Sequence, residues 1–389
     1  MKKRILFYCQ PMLGMGHFIR SREIIRGLRD FEVCFLYGAE LVAGLGSPSW
    51  PSGVDVVRLP AIKSDAEFKG LYVADGSQSL AEAQEIRKEL ILSTYDRVRP
   101  DILVTELFPF GRRRFAFELL PLIERAHGYA KIVCSLRDIL VAKRNHDRFE
   151  KEVCDLVNRR FDMVLVHSDP RFQRLEETFY RRQEIERPVV YTGFVAAEPE
   201  PENIETAVDL PPSESAFILV SAGGGRVGYE LLECSIAAGI ELEGRLDYRM
   251  RIVTGPHIPE EGFLRLRRLA ARAPRIAIEA YTARFFQLLK RADLSVSMAG
   301  YNTCMDLLRA GARALVYPFT GGGNQEQMIR ARKLEKLGAV SVIDPLDLTP
   351  ERLAEKIIQS LNQPRPAPSA TLDLKGVERT AEALAELVN

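Results

Sequence analysis

The chain has 389 residues, of which 46% are hydrophobic and 28% charged, with a net charge of +1. That length suits two domains, and that balance suits a globular protein with ample core. A single Trp, the near-neutral charge and the lack of a basic tail give a nucleic-acid role little support, and no stretch reaches the about 18 apolar residues of a membrane span.

The opening "MKKRILFYCQPMLGMGHF" begins like a signal peptide. Its apolar run is short and is broken by Gln10-Pro11, so a first strand over residues 4–8 is expected instead. Further strands are predicted at 32–36, 54–59, 102–105, 131–135, 163–166 and 189–192, with helices at 19–29, 80–98, 115–126 and 148–160 between them. Strands alternating with amphipathic helices imply βαβ units and parallel sheets. Residues 196–213, "AAEPEPENIETAVDLPPS", have no apolar periodicity and read as a Pro-rich linker. The pattern then restarts, with strands at 216–220, 248–253, 276–279, 294–297, 314–317 and 341–343, and a last helix at 377–388. The expected organisation is a first α/β domain (1–198), a linker (199–213), a second α/β domain (214–365) and a tail helix (366–389) that can pack back on the first domain. Six cysteines form no Cys-x-x-Cys pair, and Cys9, Cys34 and Cys134 fall in apolar strand patterns, so they read as buried hydrophobes in a reducing cytoplasm.

Ligands of such sheets bind beyond the carboxyl ends of the strands, and two facing domains would set those ends across a cleft. Four motifs sit there. Gly14-Met15-Gly16-His17 follows the first strand and opens a helix, whose N-terminal dipole disfavours an imidazolium and suits His17 to act as a base. Glu106, at the end of the strand at 102–105, can meet His17 and fix its tautomer. The run Arg112-Arg113-Arg114 that follows suits an anionic acceptor, a membrane surface or a solvated face. In "SAGGGRVGYELL" Gly223, Gly225 and Gly228 satisfy G-x-G-x-x-G, but the acid expected about 20 residues on is missing from "RIVTGPH". A nicotinamide site is therefore disfavoured and a phosphate-cradling loop of Gly223, Gly224 and Gly225 is kept, with Arg226 as a cation that can also face solvent.

The fourth motif is "MAGYNTCMDLLRAGARALVYPFTGGGNQEQ". Gly300 starts a helix whose free N–H groups, with Asn302 near them, suit a phosphate. Asp306 lies about one turn on, where a carboxylate can hold a ribose diol. Glu326 and Gln327 offer an acceptor and an amide for the hydroxyls of a hexose. There is no Asp-x-Asp, so no metal site is expected, and loop N–H groups and helix dipoles would neutralise a diphosphate.

Taken together, "GMGHFIRSREIIRGL", "VTELFPFGRRRFAFELLP", "VLVHSDPRF", "VYTGF", "VSAGGGRVGYELL" and "SMAGYNTCMDLLRAGARALVYPF" resemble the GT-B glycosyltransferases, in particular the bacterial branch around the peptidoglycan N-acetylglucosaminyltransferase. The resemblance implies two Rossmann-like domains and a nucleotide-sugar donor, usually a UDP-sugar, on the C-terminal one. It implies a small-molecule or lipid-linked acceptor on the N-terminal one, inversion without a metal or other cofactor, and a cytoplasmic enzyme that can touch the membrane peripherally. Gly16 is counted with the residues that bind the nucleotide sugar, and His17 with Glu106 is the expected catalytic pair on the N-terminal domain. Gly223–Gly225 and Gly300 fall at the diphosphate, Asp306 at the ribose, Tyr281 in "IEAYTARFF" at the base, and Glu326-Gln327 at the sugar. The family usually has Glu where Asp306 stands. Two other readings remain open: a nucleotide-sugar epimerase or hydrolase, for which Asp138 and Asp169 would be the extra carboxylates, and a non-catalytic sugar-nucleotide-binding subunit.

Overall fold

Residues 2–12, 15–39, 50, 53–64, 70–141, 146–197, 215–321, 324–365 and 372–389 are described by the computed structural model. The linker at 199–213, Gly14, Gly322 and Gly323 lie outside the described residues. Those up to Ala196 and those from Leu372 to Asn389 form one unit, and the residues between them form a second.

The first unit runs β1 (Lys3–Cys9), α1 (Gly16–Gly27), β2 (Phe31–Tyr37), β3 (Val54–Arg58), β4 (Ile62–Ser64), β5 (Leu71–Val73), α2 (Leu80–Val98), β6 (Ile102–Glu106), α3 (Ala116–Ala126), β7 (Lys131–Arg137), α4 (His146–Arg160), β8 (Met163–His167) and β9 (Val189–Tyr191). The last helix of the chain, which closes this unit, is Gly376–Val388. Its sheet has the order β3-β2-β1-β6-β7-β8-β9, with every pair parallel. The strands are apolar on both faces because both faces are covered. In β1, Leu6 and Tyr8 pack with Ala83, Ile91 and Leu119 of α2 and α3, while Ile5, Phe7 and Cys9 pack with Ile24 and Ile25 of α1 and with Val377 and Leu384 of the last helix. That helix lies so close to α1 that a Cβ on Gly27 would fall 2.2 Å from Val377 Cγ1. Its approach is fixed by backbone bonds, Phe194 N donating to Asp373 O at 2.7 Å and Gly376 N to Phe194 O at 3.0 Å.

The second unit runs β10 (Ala216–Ser221), α5 (Tyr229–Leu242), β11 (Tyr248–Val253), α6 (Glu260–Ala270), β12 (Ile276–Glu279), α7 (Phe285–Arg291), β13 (Leu294–Met298), α8 (Tyr301–Ala310), β14 (Ala314–Tyr317), α9 (Glu326–Lys336), β15 (Ser341–Val342) and α10 (Pro350–Leu361); with these numbered, the last helix is α11. The sheet order is β12-β11-β10-β13-β14-β15, again all parallel. Ile218, Val220, Leu294 and Val296 face a core completed by Leu231 and Leu232 of α5, Leu266 of α6 and Ile357 of α10.

Each sheet therefore reverses its winding once, between β1 and β6 and between β10 and β13. These are the points at which adjacent loops part and leave room for a ligand. The observed strands lie within two residues of those predicted. Two differences matter. Glu106 is the last residue of β6 rather than the residue after the strand, paired in register with Ser135. The antiparallel pair β4–β5 was not predicted, because three residues per strand are too few to show alternation.

Candidate active site

At the switch point of the first sheet, α1 starts at Gly16, which is exposed, and presents His17 in its first turn. His17 Nδ1 lies 2.6 Å from Glu106 Oε1 at the end of β6. A carboxylate can only accept, so in the neutral ring Nδ1 carries the proton and Nε2 keeps its lone pair. Arg20, one turn further along α1, also donates through Nη2 to Glu106 Oε1. Arg112 Nη2 stands 3.8 Å from Glu106 Oε2. The carboxylate is fully buried, while the His17 side chain retains 16% exposure.

Burial pushes the His17 imidazolium down to about 4; Glu106 pulls it up, and Arg112 and Arg20 push it further down. Burial alone would raise the Glu106 carboxyl, but His17, Arg20 and Arg112 together hold it far below the usual carboxylate range. At neutral pH the arrangement is thus a neutral imidazole against a carboxylate, with the two guanidiniums supplying the positive charge that keeps Glu106 ionised. The β6–α3 turn that delivers Arg112 is tight. Leu107 and Arg112 both have left-handed backbones, at φ 67° and 57°, and Gly111 leaves no room for a side chain, since a Cβ would lie 2.6 Å from Leu107 Cδ2. Non-glycine residues hold such angles only where the surroundings over-determine them.

His167, at the end of β8, is fully buried, with Ser135 Oγ 2.8 Å from Nε2 and Thr192 Oγ1 2.9 Å from Nδ1. Burial pushes its imidazolium down to about 3, and hydroxyls on both ring nitrogens make it a satisfied core histidine. Asp169 is also committed elsewhere: its Oδ2 accepts from Asp373 N at 3.0 Å and from Arg171 Nη2 at 2.6 Å, so it anchors the tail that leads into α11. Asp138 is buried after β7.

At the switch point of the second sheet, Gly223, Gly225 and Gly228 all have left-handed backbones, at φ 63°, 83° and 89°. The glycine spacing read from the sequence is thus a conformational requirement. The loop is locked against the turn after β11. A Cβ on Gly225 would lie 2.6 Å from Thr254 O, one on Gly255 2.4 Å from Gly223 O, and His257 N donates to Gly224 O at 3.0 Å. Gly300 caps α8, and the hydroxyl of Thr303 sits between the two glycine sites. A Cβ on Gly223 would be 3.7 Å from Thr303 Oγ1 and one on Gly300 3.9 Å from it. The loop after β10 and the start of α8 therefore converge on one place, with Asn302 and Asp306 half-buried on α8 and Arg226 exposed beside the loop. Thr303 was not singled out from the sequence, although a hydroxyl at the third position of a phosphate-type helix start is a readable signal.

Tyr281 follows β12 and is 37% exposed. Glu326 starts α9 but is 7% exposed, and its Oε1 accepts from Arg330 Nη2 at 2.8 Å. Arg330 also donates to Ala299 O at 3.2 Å and lies over the Tyr301 ring at 5.5 Å, so this pair ties the first turn of α9 to the start of α8. Gln327 Oε1 accepts from Phe319 N at 3.1 Å. Among the described residues, no group of three or more His, Cys, Asp or Glu is placed to hold a metal ion, no helix is long and apolar enough to cross a membrane, and all six cysteines are buried as free thiols.

Two parallel-sheet α/β units, each with its polar groups gathered where the strand order reverses, make up the GT-B glycosyltransferase architecture. Solved structures share it over the whole chain. The glycotransferase of kitacinnamycin aligns with a TM-score of 0.66 at 16% identity, covering 100% of both chains. MurG of Acinetobacter baumannii aligns with a TM-score of 0.56 at 15% identity, covering 99% of each. In sequence, residues 224–384 match the Glycosyltransferase family 28 C-terminal domain. Among relatives, a UDP-N-acetylglucosamine--N-acetylmuramyl-(pentapeptide) pyrophosphoryl-undecaprenol N-acetylglucosamine transferase of Hahella chejuensis is 33% identical over 120 residues, 29% of this chain and 32% of that protein. The protein of the same name from Methylobacterium radiotolerans is 28% identical over 181 residues, 46% of this chain and 48% of that protein. The chain thus spans less than half the length of these two relatives. The resemblance read from the motifs holds in the fold and in this C-terminal stretch.

Proposed function

We propose that this chain is a metal-independent inverting glycosyltransferase, moving a hexose-type sugar from a nucleotide sugar to a hydroxyl acceptor. The observation that carries the reading is the 2.6 Å contact between His17 Nδ1 and Glu106, which leaves Nε2 as a proton acceptor at a sheet switch point. In the proposed step the acceptor hydroxyl gives its proton to Nε2 while its oxygen attacks the anomeric carbon. The bond from that carbon to the phosphate oxygen breaks, and the electron pair leaves with the nucleoside diphosphate. Glu106 steadies the imidazolium as it forms. The N–H groups at the start of α8 stabilise the departing diphosphate, which the glycine loop Gly223–Gly225 lets approach closely, with Thr303 and Asn302 beside it. Asp306 holds the ribose diol, Tyr281 borders the base and the Gln327 amide meets the sugar. Glu326 acts by holding Arg330, and through it the turn at Ala299, rather than by gripping hydroxyls directly.

The relatives' names supply the donor and acceptor chemistry: a UDP-sugar, and an acceptor that is lipid-linked in them. A small-molecule acceptor and a peripheral membrane contact belong to the same proposal for this chain. Metal independence rests on the lack of an Asp-x-Asp motif. The test is a thermal-shift panel of nucleotide sugars, followed by mass spectrometry of sugar transfer to cell-extract acceptors with EDTA present. Transfer that persists in EDTA supports the reading. Loss of turnover in chelator, restored by Mg²⁺ or Mn²⁺, contradicts it.

A further inference from the structure

The site around His17 holds more positive charge than its own residues satisfy. Arg112 is 10% exposed, and its Nη2 stands 3.8 Å from Glu106 Oε2, beyond hydrogen-bond reach. Among the described residues, neither of those atoms, nor Arg112 Nε, has a hydrogen-bond partner. A buried guanidinium with two unmet donors is costly, and proteins ordinarily satisfy such groups. Glu106 Oε2 attracts Arg112 as an ion pair across that 3.8 Å without taking a hydrogen bond from it, while Oε1 takes His17 and Arg20. The unmet fork points at the carboxylate that orients His17, so whatever fills it lies beside the base.

We propose that Arg112 is an anion subsite next to His17, taking an oxyanion, phosphate or carboxylate, carried by the acceptor. The word acceptor rests on the transferase reading; the anion site does not. A guanidinium suits such a group because its donors lie in a planar fork matching two oxygens. Filling the site would also neutralise a cation that opposes protonation of His17, so the base would strengthen only when its substrate is in place.

The test follows the His17 ring signals by NMR in the full chain, titrated at constant ionic strength with inorganic phosphate and, separately, acetate. A saturable shift of the His17 signals with either probe supports the site, and the tighter of the two names the oxyanion. Arg112→Gln should weaken that binding by about tenfold or more, the scale of a charge-assisted hydrogen bond, while Arg112→Lys should retain part of it. His17 signals that respond to neither anion in the wild-type chain overturn the proposal without recourse to a variant, as does an Arg112→Gln chain that titrates like the wild type. A saturable response in a chain that transfers no sugar leaves the anion site standing and removes the transferase reading. Sugar transfer with no response to either anion removes the anion site alone.

Discussion

His17 and Glu106 are 89 residues apart in the chain and 2.6 Å apart in space, and their roles are separable by mutation. Glu106→Gln keeps a hydrogen-bond acceptor for Nδ1 but removes the charge that raises the imidazolium. It should lower kcat less than loss of the ring does, and should move the acid limb of kcat/KM, set near pH 4 in the free enzyme by His17, to still lower pH. An acid limb that moves upward would show that Glu106 does not act on His17 through its charge. On the second unit, Asp306→Ala should raise the donor KM more than it lowers kcat. A carboxylate holding ribose does so alike in ground and transition states, at a cost of roughly 1.5–3 kcal/mol for hydrogen bonds to a charged group. Donor affinity unchanged in a calorimetric titration would move the ribose site elsewhere.

The loops after β10 and β13 are where sequence and structure agree most closely, and the reason is backbone geometry. Gly223, Gly225 and Gly228 were legible because left-handed angles demand glycine, and glycine is visible in a sequence. Gly223 and Gly225 differ in what surrounds them. Gly225→Ala adds a Cβ 2.6 Å from a backbone oxygen, whereas Gly223→Ala meets nothing nearer than 3.7 Å. Gly223→Ala should therefore cost about 1–2 kcal/mol, the price of a left-handed non-glycine residue, and Gly225→Ala about 1–3 kcal/mol more, with weaker nucleotide binding. Equal stability of the two variants in urea unfolding would contradict the interlocked loops. What was not legible depends on long-range contacts. The bond from Arg20 to Glu106 and the anchoring of Asp373 by Asp169 each join distant segments that carry no shared local pattern. Arg330 stands four residues after Glu326, a helical ion pair readable from spacing alone.

At the scale of the whole molecule, burial of ionisable groups sets how stability responds to acid. The folded-state values of His17 and His167, about 4 and about 3, lie below the free value of 6.5. The unfolded chain therefore binds more protons through the window between, so stability rises with pH there and is lost as pH falls from about 6.5 toward 4. Glu106, held below its free value, contributes a loss of the same sign at lower pH. Urea unfolding should accordingly show uptake of up to about two protons from these histidines near pH 5. Stability that is flat or that increases on acidification through this window would contradict the burial of the two rings.

The central claim is that a base in the first unit drives transfer of a sugar held by the second. Its most direct measurement compares wild type and His17→Ala at saturating nucleotide sugar, counting transferred sugar by mass spectrometry while calorimetry reports donor affinity. General-base catalysis predicts a fall in kcat of roughly 10²–10⁴-fold, with donor affinity nearly unchanged. Transfer by His17→Ala at the wild-type rate would contradict the account and assign the proton to another group.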